Sequence, residues 1–318
     1  MKRDLVRIVD LSREEILELF ALAARLKADL KAGRKHAWLP GKTLAMIFEK
    51  PSLRTRVTFE TGMIQLGGVA IYLGPADIGL GRRESVADIG KNLSLWVDII
   101  MARTFLHSTV EDLAAAAQVP VINGLSDLYH PCQVLADCFT LSELYEDISK
   151  LSIAFLGDGN NMVHSWMLAA ARLGFQFTLV CPRGYEADRE IMTNAQGLGG
   201  KIRMTHDLAE GTAGADVLYT DVWASMGQED EAERRKRVFR AYQLNAKVMK
   251  NAAPNARVMH CLPAHRGEEV TSDVLDGPQS VVLQQSENRL HLQKALLARL
   301  LDAEATHAAG TRGAKSGG

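Results

Sequence analysis

Short apolar runs alternate along the chain with longer stretches in which apolar residues recur at about every third or fourth position. The strand-like runs of the first half are TLAMIFE, VAIYLG, VDIIMA and VPVING. Those of the second half are LSIAFLGDG, FQFTLVCP, KIRMTHD, ADVLYTD and ARVMHCLP. Nearly continuous apolar strands separated by helices are typical of parallel sheets that helices cover on both faces. The pattern predicts an α/β protein with two doubly wound parallel-sheet domains, each of about four or five strands.

Helical segments mark the limits of the two predicted domains. An opening helix, SREEILELFALAARLKADL, begins with a capping box. The segment HPCQVLADCFTLSELYED predicts a helix that leaves the first sheet, so we place the first domain at residues 1–147 and the second at residues 148–286. The segment ENRLHLQKALLARLLDAEA predicts a helix over residues 287–303 that packs back on the first domain. Residues 304–318 have low complexity, and we expect them to be disordered.

Composition limits the classes of function. The chain has 318 residues, 47% hydrophobic and 24% charged, which is typical of a globular protein with two domains. Its 37 basic and 38 acidic residues give a formal net charge of -1, so no overall field attracts nucleic acid or an anionic membrane. The basic run ERRKR follows the acidic run QEDEAE, which indicates a solvated helix. The charged start and the lack of a long apolar run predict a cytoplasmic protein.

The cysteines predict free thiols in a reducing compartment, because no CxxC pair and no metal-ligand spacing occurs. We expect Cys132, Cys138 and Cys181 to be small buried hydrophobes. Cys261 differs because it follows a predicted strand and precedes a Leu-Pro pair. A cysteine in that position is a candidate nucleophile, and a thiol that only orients a substrate fits equally well.

Polar residues follow the first predicted strand, where the sequence KPSLRTR begins a helical stretch. At a helix N-terminus, free backbone N–H groups and the helix dipole attract anions. The hydroxyls of Ser52 and Thr55 and the guanidinium of Arg54 are placed to bind the same tetrahedral anion. Arg56 lies two residues further on and points another way, so we expect one of the two arginines to reach the ligand. A Ser N-cap with solvated arginines is an equally common origin of such a pattern.

Further donors follow other strands. Arg103 ends the third apolar run, and His130 and Gln133 follow the fourth. Ligands of open parallel sheets bind beyond the carboxyl ends of the strands. If the tetrahedral anion is a phosphate, these side chains are candidates to hold a carbonyl oxygen next to it. For the HPCQ segment, the start of a helix at a proline is the alternative.

The segment LGDGNNMVHS suggests a dinucleotide site, but it does not fit in detail. A G-x-G-x-x-G fingerprint needs glycine at the position of Met162, and the next strand ends without an acidic residue for the ribose. We therefore disfavour an NAD(P)-dependent Rossmann oxidoreductase. Asn160, Asn161 and Ser165 instead offer groups that suit an amino-acid head group.

Four separated motifs occur in an order that is similar to the aspartate/ornithine carbamoyltransferases. They are SLRTR at residues 52–56, HPCQ at residues 130–133, DVWASMG at residues 221–227 and HCLP at residues 260–263. The resemblance extends over nearly the whole chain. The SMG loop and the cysteine of HCLP favour the ornithine branch of that family.

The resemblance implies two α/β domains with the active site in the cleft between them. It also implies the residues that bind carbamoyl phosphate: Ser52, Leu53 through its backbone, Arg54, Thr55, Arg103, His130, Gln133, Cys261 and Leu262 through backbone oxygens, and Arg289. The Leu-Pro bond after Cys261 is expected to be cis. The implied ornithine contacts are Asn161, Asp221, Ser225 and Met226. Of all these residues, Arg103, His130 and Cys261 are implied as catalytic.

The implied reaction is transfer of the carbamoyl group of carbamoyl phosphate to Nδ of L-ornithine, which gives L-citrulline and phosphate. Neither a cofactor nor a metal is implied, and the family assembles as trimers or groups of trimers. Two positions depart from the family pattern: Leu53 replaces a more usual threonine, and Gly79 replaces a glutamine that commonly helps to bind carbamoyl phosphate. Relatives that use acetylated ornithine also carry S-L-R-T-R, so N-acetylornithine and putrescine stay open as alternative amines.

Overall fold

The computed structural model describes residues 2–81, 83–224 and 231–302 of the chain. Within it the chain divides into two compact units, one formed by Met1–Ala136 with Asn288–Gly318 and the other by Asp137–Glu287. The division thus falls about ten residues before the boundary that we placed at residue 148. Two predicted ornithine contacts, Ser225 and Met226, and the predicted tail lie outside the described residues.

All nine strand-like runs of the sequence form strands. The first unit contains a parallel four-stranded sheet in the order β2-β1-β3-β4. Its strands are β1 (Thr43–Phe48), β2 (Val69–Leu73), β3 (Ile99–Arg103) and β4 (Val121–Leu125). The second unit contains a parallel five-stranded sheet in the order β7-β6-β5-β8-β9. Its strands are β5 (Ser152–Leu156), β6 (Gln176–Val180), β7 (Lys201–Thr205), β8 (Val217–Thr220) and β9 (Arg257–His260).

Helices connect these strands. Those within the described residues are α1 (Arg13–Lys31), α2 (Leu53–Gln65), α3 (Pro75–Ile78), α4 (Val86–Leu93), α5 (His107–Ala116), α6 (Pro131–Leu144), α7 (Asn161–Leu173), α8 (Arg189–Gly197), α9 (Leu208–Thr212), α10 (Ala232–Phe239), α11 (Ala246–Met249), α12 (Ser272–Leu275) and α13 (Val282–Leu300). Short 3-10 turns occupy Ile8–Asp10, Ile148–Lys150 and Arg240–Tyr242. The predicted α/β class with two parallel sheets is confirmed.

Local signals in the sequence account for where several helices begin. The capping box before α1 forms as predicted, since Ser12 accepts from the backbone of Glu15 and the Glu15 carboxylate accepts from the Ser12 N–H. Ser52 caps α2 by accepting from the Thr55 N–H at 3.3 Å. Asn160 caps α7 by accepting from the first free N–H groups of that helix. The polar segments that follow β1 and β5 therefore present helix N-termini.

In each sheet the order of the strands reverses at one point. β1 pairs with both β2 and β3, and β5 pairs with both β6 and β8. A crevice opens beyond the carboxyl ends of the strands at such a switch point, and this is where open α/β sheets bind ligands. The residues that follow β1 and β3 in one unit, and β5 and β8 in the other, are therefore the ones to compare with the predicted site.

Buried aliphatic side chains hold each sheet to its helices. In the first unit one cluster joins strand residues such as Ile47 and Ile100 to Ile89 and Val110 of the covering helices. In the second unit another joins strand residues such as Leu156 to Leu244, Val248 and neighbours on the covering segments. These clusters make each sheet a rigid support for the loops at its strand ends. Of the described helices, none combines the length and the apolar character that a membrane crossing requires.

Candidate active site

The first candidate cluster surrounds the N-terminus of α2. Leu53, the first helical residue, is 75% exposed, so its side chain is not part of a core. Thr55 is fully buried and Arg54 is half-buried. The prediction of a helix N-terminus directly after a strand is thus confirmed. This arrangement places backbone N–H groups, two hydroxyls and a guanidinium at one helix end, which is the donor set that a phosphate requires.

The two arginines of this motif separate as expected. Arg56 is exposed; its guanidinium lies 4.0 Å from the ring centroid of Tyr72, and its Nε lies 3.5 Å from Glu60 Oε2. These contacts keep Arg56 on the outer face of α2. Arg54 lies on a different side of the helix, because two residues correspond to a rotation of about 200°.

Arg289 of α13 connects two of the predicted ligand contacts. Its Nη1 donates to Gln133 Oε1 at 2.8 Å, and its Nη2 donates to Thr55 Oγ1 at 3.0 Å. All three side chains are almost completely buried. Because the oxygen of Thr55 accepts from Arg289, the hydroxyl proton is left to be donated. The structure therefore brings Thr55, Gln133 and Arg289 together, although they lie far apart in the sequence.

The cationic surroundings determine the charge of His130. Burial is the main cause that lowers the pKa of His130 well below its usual range, and Arg289, Arg103, Lys50 and Arg54 add to the effect in that order. The imidazole is consequently neutral at physiological pH and can serve as a neutral hydrogen-bond donor. Arg103, which ends β3, is itself buried and only 7% exposed. The first cluster is thus a buried site of strongly positive potential.

Lys50 is a member of this cluster that the motif analysis did not select. Burial, and then the charge of Arg103, lower the pKa of Lys50. Its Nζ lies 5.1 Å from the ring centroid of Phe105. The signal that could have identified it is its position, since it follows β1 in the same way as the selected residues follow their strands.

The second candidate cluster surrounds the carboxylate of Asp221, which follows β8. Its Oδ1 accepts from Cys261 Sγ at 3.0 Å and from the Val222 N–H at 2.8 Å. Its Oδ2 lies 3.3 Å from Asn160 Nδ2. Asp221 is 9% exposed, so its side chain is held in place directly after β8.

Cys261 is held as a neutral thiol in this cluster. Burial raises the pKa of Cys261 well above its usual range, and the charge of Asp221 and its hydrogen bond to the thiol act in the same direction. A nucleophilic cysteine needs a lowered pKa, because the thiolate is the reactive form. The geometry therefore favours the second of our two interpretations, in which the thiol orients a substrate. The other three cysteines are buried, as predicted.

Contacts within the HCLP segment fix the backbone around Cys261. The Leu262–Pro263 peptide bond is cis, as the resemblance implied, and Leu262 has a φ of 58°. A positive φ is uncommon for leucine and requires support from the surroundings. His260 provides it, since its Nδ1 accepts from the Leu262 N–H at 2.8 Å. Its Nε2 lies 3.1 Å from Glu269 Oε1, and both side chains are fully buried. The backbone oxygens of Cys261 and Leu262 are thus held in one orientation.

The segment LGDGNN has a structural explanation that does not involve a dinucleotide. Gly157 has a φ of 148°. A Cβ on Gly159 would overlap the backbone of Ala187. Both glycines are thus required by the local backbone. Asn160 uses its carbonyl to cap α7 and its amide to contact Asp221, which ties this segment to the Asp221 cluster.

Among the residues that the structure describes, two groups of side chains have the composition of a metal site. They are Asp221 with His260 and Cys261, and His265 with Glu268 and Glu269; within each group the ligand atoms lie within 4.8 Å of one another. Their donors and acceptors are largely used within the protein. The thiol donates to Asp221, His260 contacts Leu262 and Glu269, and Lys236 lies 3.0 Å from Glu268 Oε1.

One of the sequence predictions is wrong in part. We interpreted the ERRKR run of α10 as a solvated helix, yet Arg235 is only 7% exposed. Its Nη1 donates to Asp158 Oδ2 at 2.8 Å and to the Trp223 carbonyl at 3.0 Å. A buried guanidinium requires such partners, and the charge pattern along the sequence does not reveal them.

Two family models match the chain. The model of the carbamoyl-P binding domain of aspartate/ornithine carbamoyltransferase matches residues 3–143, and the model of its Asp/Orn binding domain matches residues 149–300. The chain belongs to the aspartate/ornithine carbamoyltransferase family. The first model covers the residues of the first candidate cluster except Arg289, and the second covers Arg289, Asp221 and Cys261.

Individual carbamoyltransferases are similar over almost the whole chain. The ornithine carbamoyltransferase of Pyrococcus abyssi (strain GE5 / Orsay) is 52% identical over 303 residues, which cover 94% of this chain and 96% of the relative. A Pyrococcus furiosus relative, described as an anabolic ornithine carbamoyltransferase, is 51% identical over 303 residues, with the same coverage of 94% and 96%. The solved ornithine carbamoyltransferase from Pyrococcus furiosus has a TM-score of 0.90 at 51% identity and covers 93% of this chain and 96% of its own. That from Thermus thermophilus has a TM-score of 0.85 at 43% identity, with coverage of 95% and 99%.

Proposed function

We propose that this carbamoyltransferase transfers the carbamoyl group of carbamoyl phosphate to Nδ of L-ornithine and releases L-citrulline and phosphate. The observation that carries the proposal is the buried Arg289, which in a chain of this family contacts Thr55 at the N-terminus of α2 and Gln133 in the first turn of α6. In the synthetic direction the enzyme would supply citrulline for arginine biosynthesis. The relative described as anabolic supports that direction.

The first cluster is proposed to bind carbamoyl phosphate. The free N–H groups at the start of α2, the hydroxyl of Ser52 and the guanidinium of Arg54 would hold the phosphate. Arg103 would contact both the phosphate and the carbonyl oxygen. These groups favour the transition state because they stabilise the negative charge that accumulates on the departing phosphate.

The oxyanion of the tetrahedral intermediate needs donors that are in place before the reaction. We assign this role to Arg103, His130 and the hydroxyl of Thr55. The neutral state of His130 suits it, because a neutral imidazole can donate a hydrogen bond without adding a charge to an already cationic site. Arg289 and Gln133 would fix the carbamoyl group and the orientation of Thr55. The backbone oxygens of Cys261 and Leu262 would accept from the carbamoyl NH2 group.

The second cluster is proposed to bind ornithine. The carboxylate of Asp221 would pair with the α-ammonium group, and Asn161 would donate to the α-carboxylate. The resemblance adds Ser225 and Met226 to the carboxylate contacts, and their role stays a prediction. The thiol of Cys261 would orient the side-chain amine, with no covalent bond between enzyme and substrate.

Deprotonation of ornithine is the main chemical obstacle. An alkyl ammonium with a pKa of about 10.4 must lose its proton before it attacks, which near pH 7.5 costs roughly 4 kcal/mol. Asp221 and Cys261, whose side chains lie 3.0 Å apart, are our candidates to steer that proton, and the leaving phosphate is a further acceptor. Since carbamoyl phosphate is already activated, alignment of the two substrates would supply most of the remaining rate enhancement.

We also propose a trimer, or an assembly of trimers, that works in the cytoplasm without a cofactor. Large apolar side chains on α2 and on the edge strand β2 support an assembled state: Leu53, Val57, Ile64, Val69 and Ile71 are between 45% and 75% exposed. Such a surface is more typical of an interface than of a monomer's exterior. Light scattering of the purified chain, with a Val57→Glu variant for comparison, tests this part of the proposal.

A colorimetric citrulline assay tests the main proposal. The chain is mixed with saturating carbamoyl phosphate and with ornithine, N-acetylornithine or putrescine in parallel. We expect kcat/KM for ornithine to be at least about a hundredfold higher than for either of the other amines. The reason is that each alternative amine leaves a buried polar group unpaired. Equal rates with N-acetylornithine or putrescine would leave the family in place and refute the choice of substrate.

A further inference from the structure

A buried turn between β4 and α6, residues 126–129, leads directly to His130. The Ser126 N–H donates to the Tyr129 carbonyl at 2.9 Å, and the Tyr129 N–H donates to Ser126 Oγ at 3.2 Å. Ser126 is fully buried and Tyr129 is 8% exposed. His130 follows Tyr129 in the chain, and α6 begins at the next residue. The conformation of this turn therefore determines the position from which the His130 side chain starts.

The imidazole of His107 contacts both ends of the turn. Its Nδ1 lies 2.9 Å from Ser126 Oγ. Its ring meets the ring of Tyr129 edge-on, with 4.8 Å between the centroids. His107 is the first residue of α5 and is only 5% exposed. One buried side chain, which the reaction as described above does not use, thus touches the first and the last residue of the turn.

Main-chain contacts join the same two parts of the chain. The His107 N–H donates to Asp127 Oδ1 at 2.7 Å, and the Asp127 N–H donates to the Phe105 carbonyl at 3.0 Å. The segment that follows β3 is therefore fixed to the turn that follows β4. Arg103 ends β3 and His130 follows the turn, so these contacts set the relative placement of two residues that we assign to the same oxyanion.

Packing alone does not explain a histidine at position 107. A phenylalanine would keep the edge-on contact with Tyr129 and the N–H that binds Asp127. Among the described residues, His107 Nε2 has no hydrogen-bond partner, and Glu111 Oε1 lies 3.7 Å from it. Burial of an imidazole with an unpaired nitrogen costs free energy that burial of an apolar ring does not. What the imidazole adds, and a phenylalanine cannot, is the contact between Nδ1 and the Ser126 hydroxyl.

We propose that His107 is a positioning residue for carbamoyl transfer, which through Ser126 holds the turn that places His130. The inference rests on the proposed function for its kinetic consequence, whereas the contact between His107 and the turn is independent of that function. Without the contact, the turn should sample more conformations and His130 should meet the oxyanion in the productive geometry less often.

The first experiment measures hydrogen–deuterium exchange of the backbone by mass spectrometry, in peptides that contain residues 126–129. For His107→Phe we expect exchange about three- to tenfold faster than in the unaltered chain, because the turn loses one hydrogen bond. His107→Asn should restore slow exchange, since its amide can place a polar atom where Nδ1 lies. Thermal melts establish that each variant is folded.

The matched control is His206→Phe. It removes an imidazole of the second unit whose Nδ1 lies 2.8 Å from the Cys181 carbonyl. This variant also exchanges a histidine for a phenylalanine and loses one contact of Nδ1. It should leave the exchange of residues 126–129 unchanged, because it does not touch the turn.

The second experiment asks whether His107 acts through His130. The effect of His107→Phe on kcat is measured in the unaltered chain and in a chain that carries His130→Gln. We expect kcat to fall about three- to tenfold in the first case, with KM for ornithine constant. In the second case we expect a change of no more than about twofold, since the loss of a residue costs little once its target is gone. A histidine with only a structural role would lower kcat by the same factor in both chains.

Two results would overturn the proposal: unchanged exchange of the turn in His107→Phe, or equal losses of kcat in the two chains. If His107→Phe does not fold, Ser126→Ala decides by the same measurements, because it removes the other partner of the same contact. Faster exchange of the turn in a chain that makes no citrulline would refute the proposed function, and with it the kinetic role of His107, and uphold the contact.

Discussion

The two candidate clusters differ in the sign of their charge. At the N-terminus of α2, several buried or half-buried cationic side chains surround one imidazole, and their charges add to burial in lowering the pKa of His130. Around β8 and β9, buried carboxylates surround one thiol, and their charges add to burial in raising the pKa of Cys261. Each cluster thus holds a titratable group in its neutral form by a field of a single sign.

This contrast matches the two substrates. A cationic site suits an anion such as carbamoyl phosphate, and a fixed carboxylate suits an ammonium group such as that of ornithine. In both places the neutral group beside the charges can direct a hydrogen bond without competing with them. The comparison teaches that burial and neighbouring charge, more than the identity of the residue, decide what a histidine or a cysteine can do.

The largest expected effect comes from weakening the cationic cluster. Arg54→Ala should lower kcat/KM by orders of magnitude, because a charge-assisted contact to phosphate contributes about 1.5 to 3 kcal/mol in binding and more in the transition state. Steady-state kinetics with both substrates measure it. Arg56→Ala is the matched control, since Arg56 contacts Tyr72 and Glu60 and should matter little. If kcat/KM of Arg54→Ala stays within threefold of that of the unaltered chain, the N-terminus of α2 is not the phosphate site.

The next effect concerns the charge of the anionic cluster. Asp221→Asn keeps the shape of the side chain and removes its charge, so ornithine should lose its ion pair while N-acetylornithine loses little. We expect the preference for ornithine over N-acetylornithine to narrow by at least about tenfold, which corresponds to the contribution of one charged hydrogen bond. Competition assays with the two amines measure the ratio. An unchanged ratio would exclude a contact between Asp221 and the α-ammonium.

A smaller effect is expected from Cys261→Ser. If the thiol orients ornithine, the variant should keep measurable turnover and bind ornithine more weakly, because the hydroxyl can still donate to Asp221. No carbamoyl-enzyme should form. Intact-protein mass spectrometry after mixing the unaltered chain with carbamoyl phosphate alone checks this, with Cys261→Ser as the reference. A stable adduct on Cys261 would show that the thiol is a nucleophile.

The smallest effect is a dependence of stability on pH. His130, His36 and His107 all have a lowered pKa in the folded chain, mainly because of burial. In the unfolded chain these histidines have an ordinary pKa of about 6.5, so below that pH the unfolded chain binds more protons than the folded chain does. The free energy of unfolding should therefore fall as the pH falls below that value.

Urea denaturation at pH 7.5 and pH 5.5 measures this dependence. The His130→Gln variant should show a smaller loss between the two pH values than the unaltered chain. An equal loss in His130→Gln and the unaltered chain would mean that the cationic cluster does not hold His130 neutral.

The sequence anticipated the parts of the fold that depend on local pattern. Period and length of the apolar runs identified all nine strands. Capping residues identified the starts of α1 and α2. The separation of Arg54 from Arg56 followed from helix geometry alone. These features depend on residues that are close neighbours in the chain, so one sequence suffices to predict them.

The order of four motifs in the sequence was likewise enough to indicate the family. Several of the residues implied by the resemblance also follow strand ends, where ligands of parallel sheets bind. The contacts among them were decided by the tertiary structure. Arg289 reaches Thr55 across 234 positions, and Tyr219 reaches Asp137 across 82. Such pairs form only when distant elements pack, and no periodicity of either segment encodes the distance between them. The same holds for the buried Arg235 and for the neutral states of His130 and Cys261, because a pKa depends on which charges the fold brings near and how much water it removes.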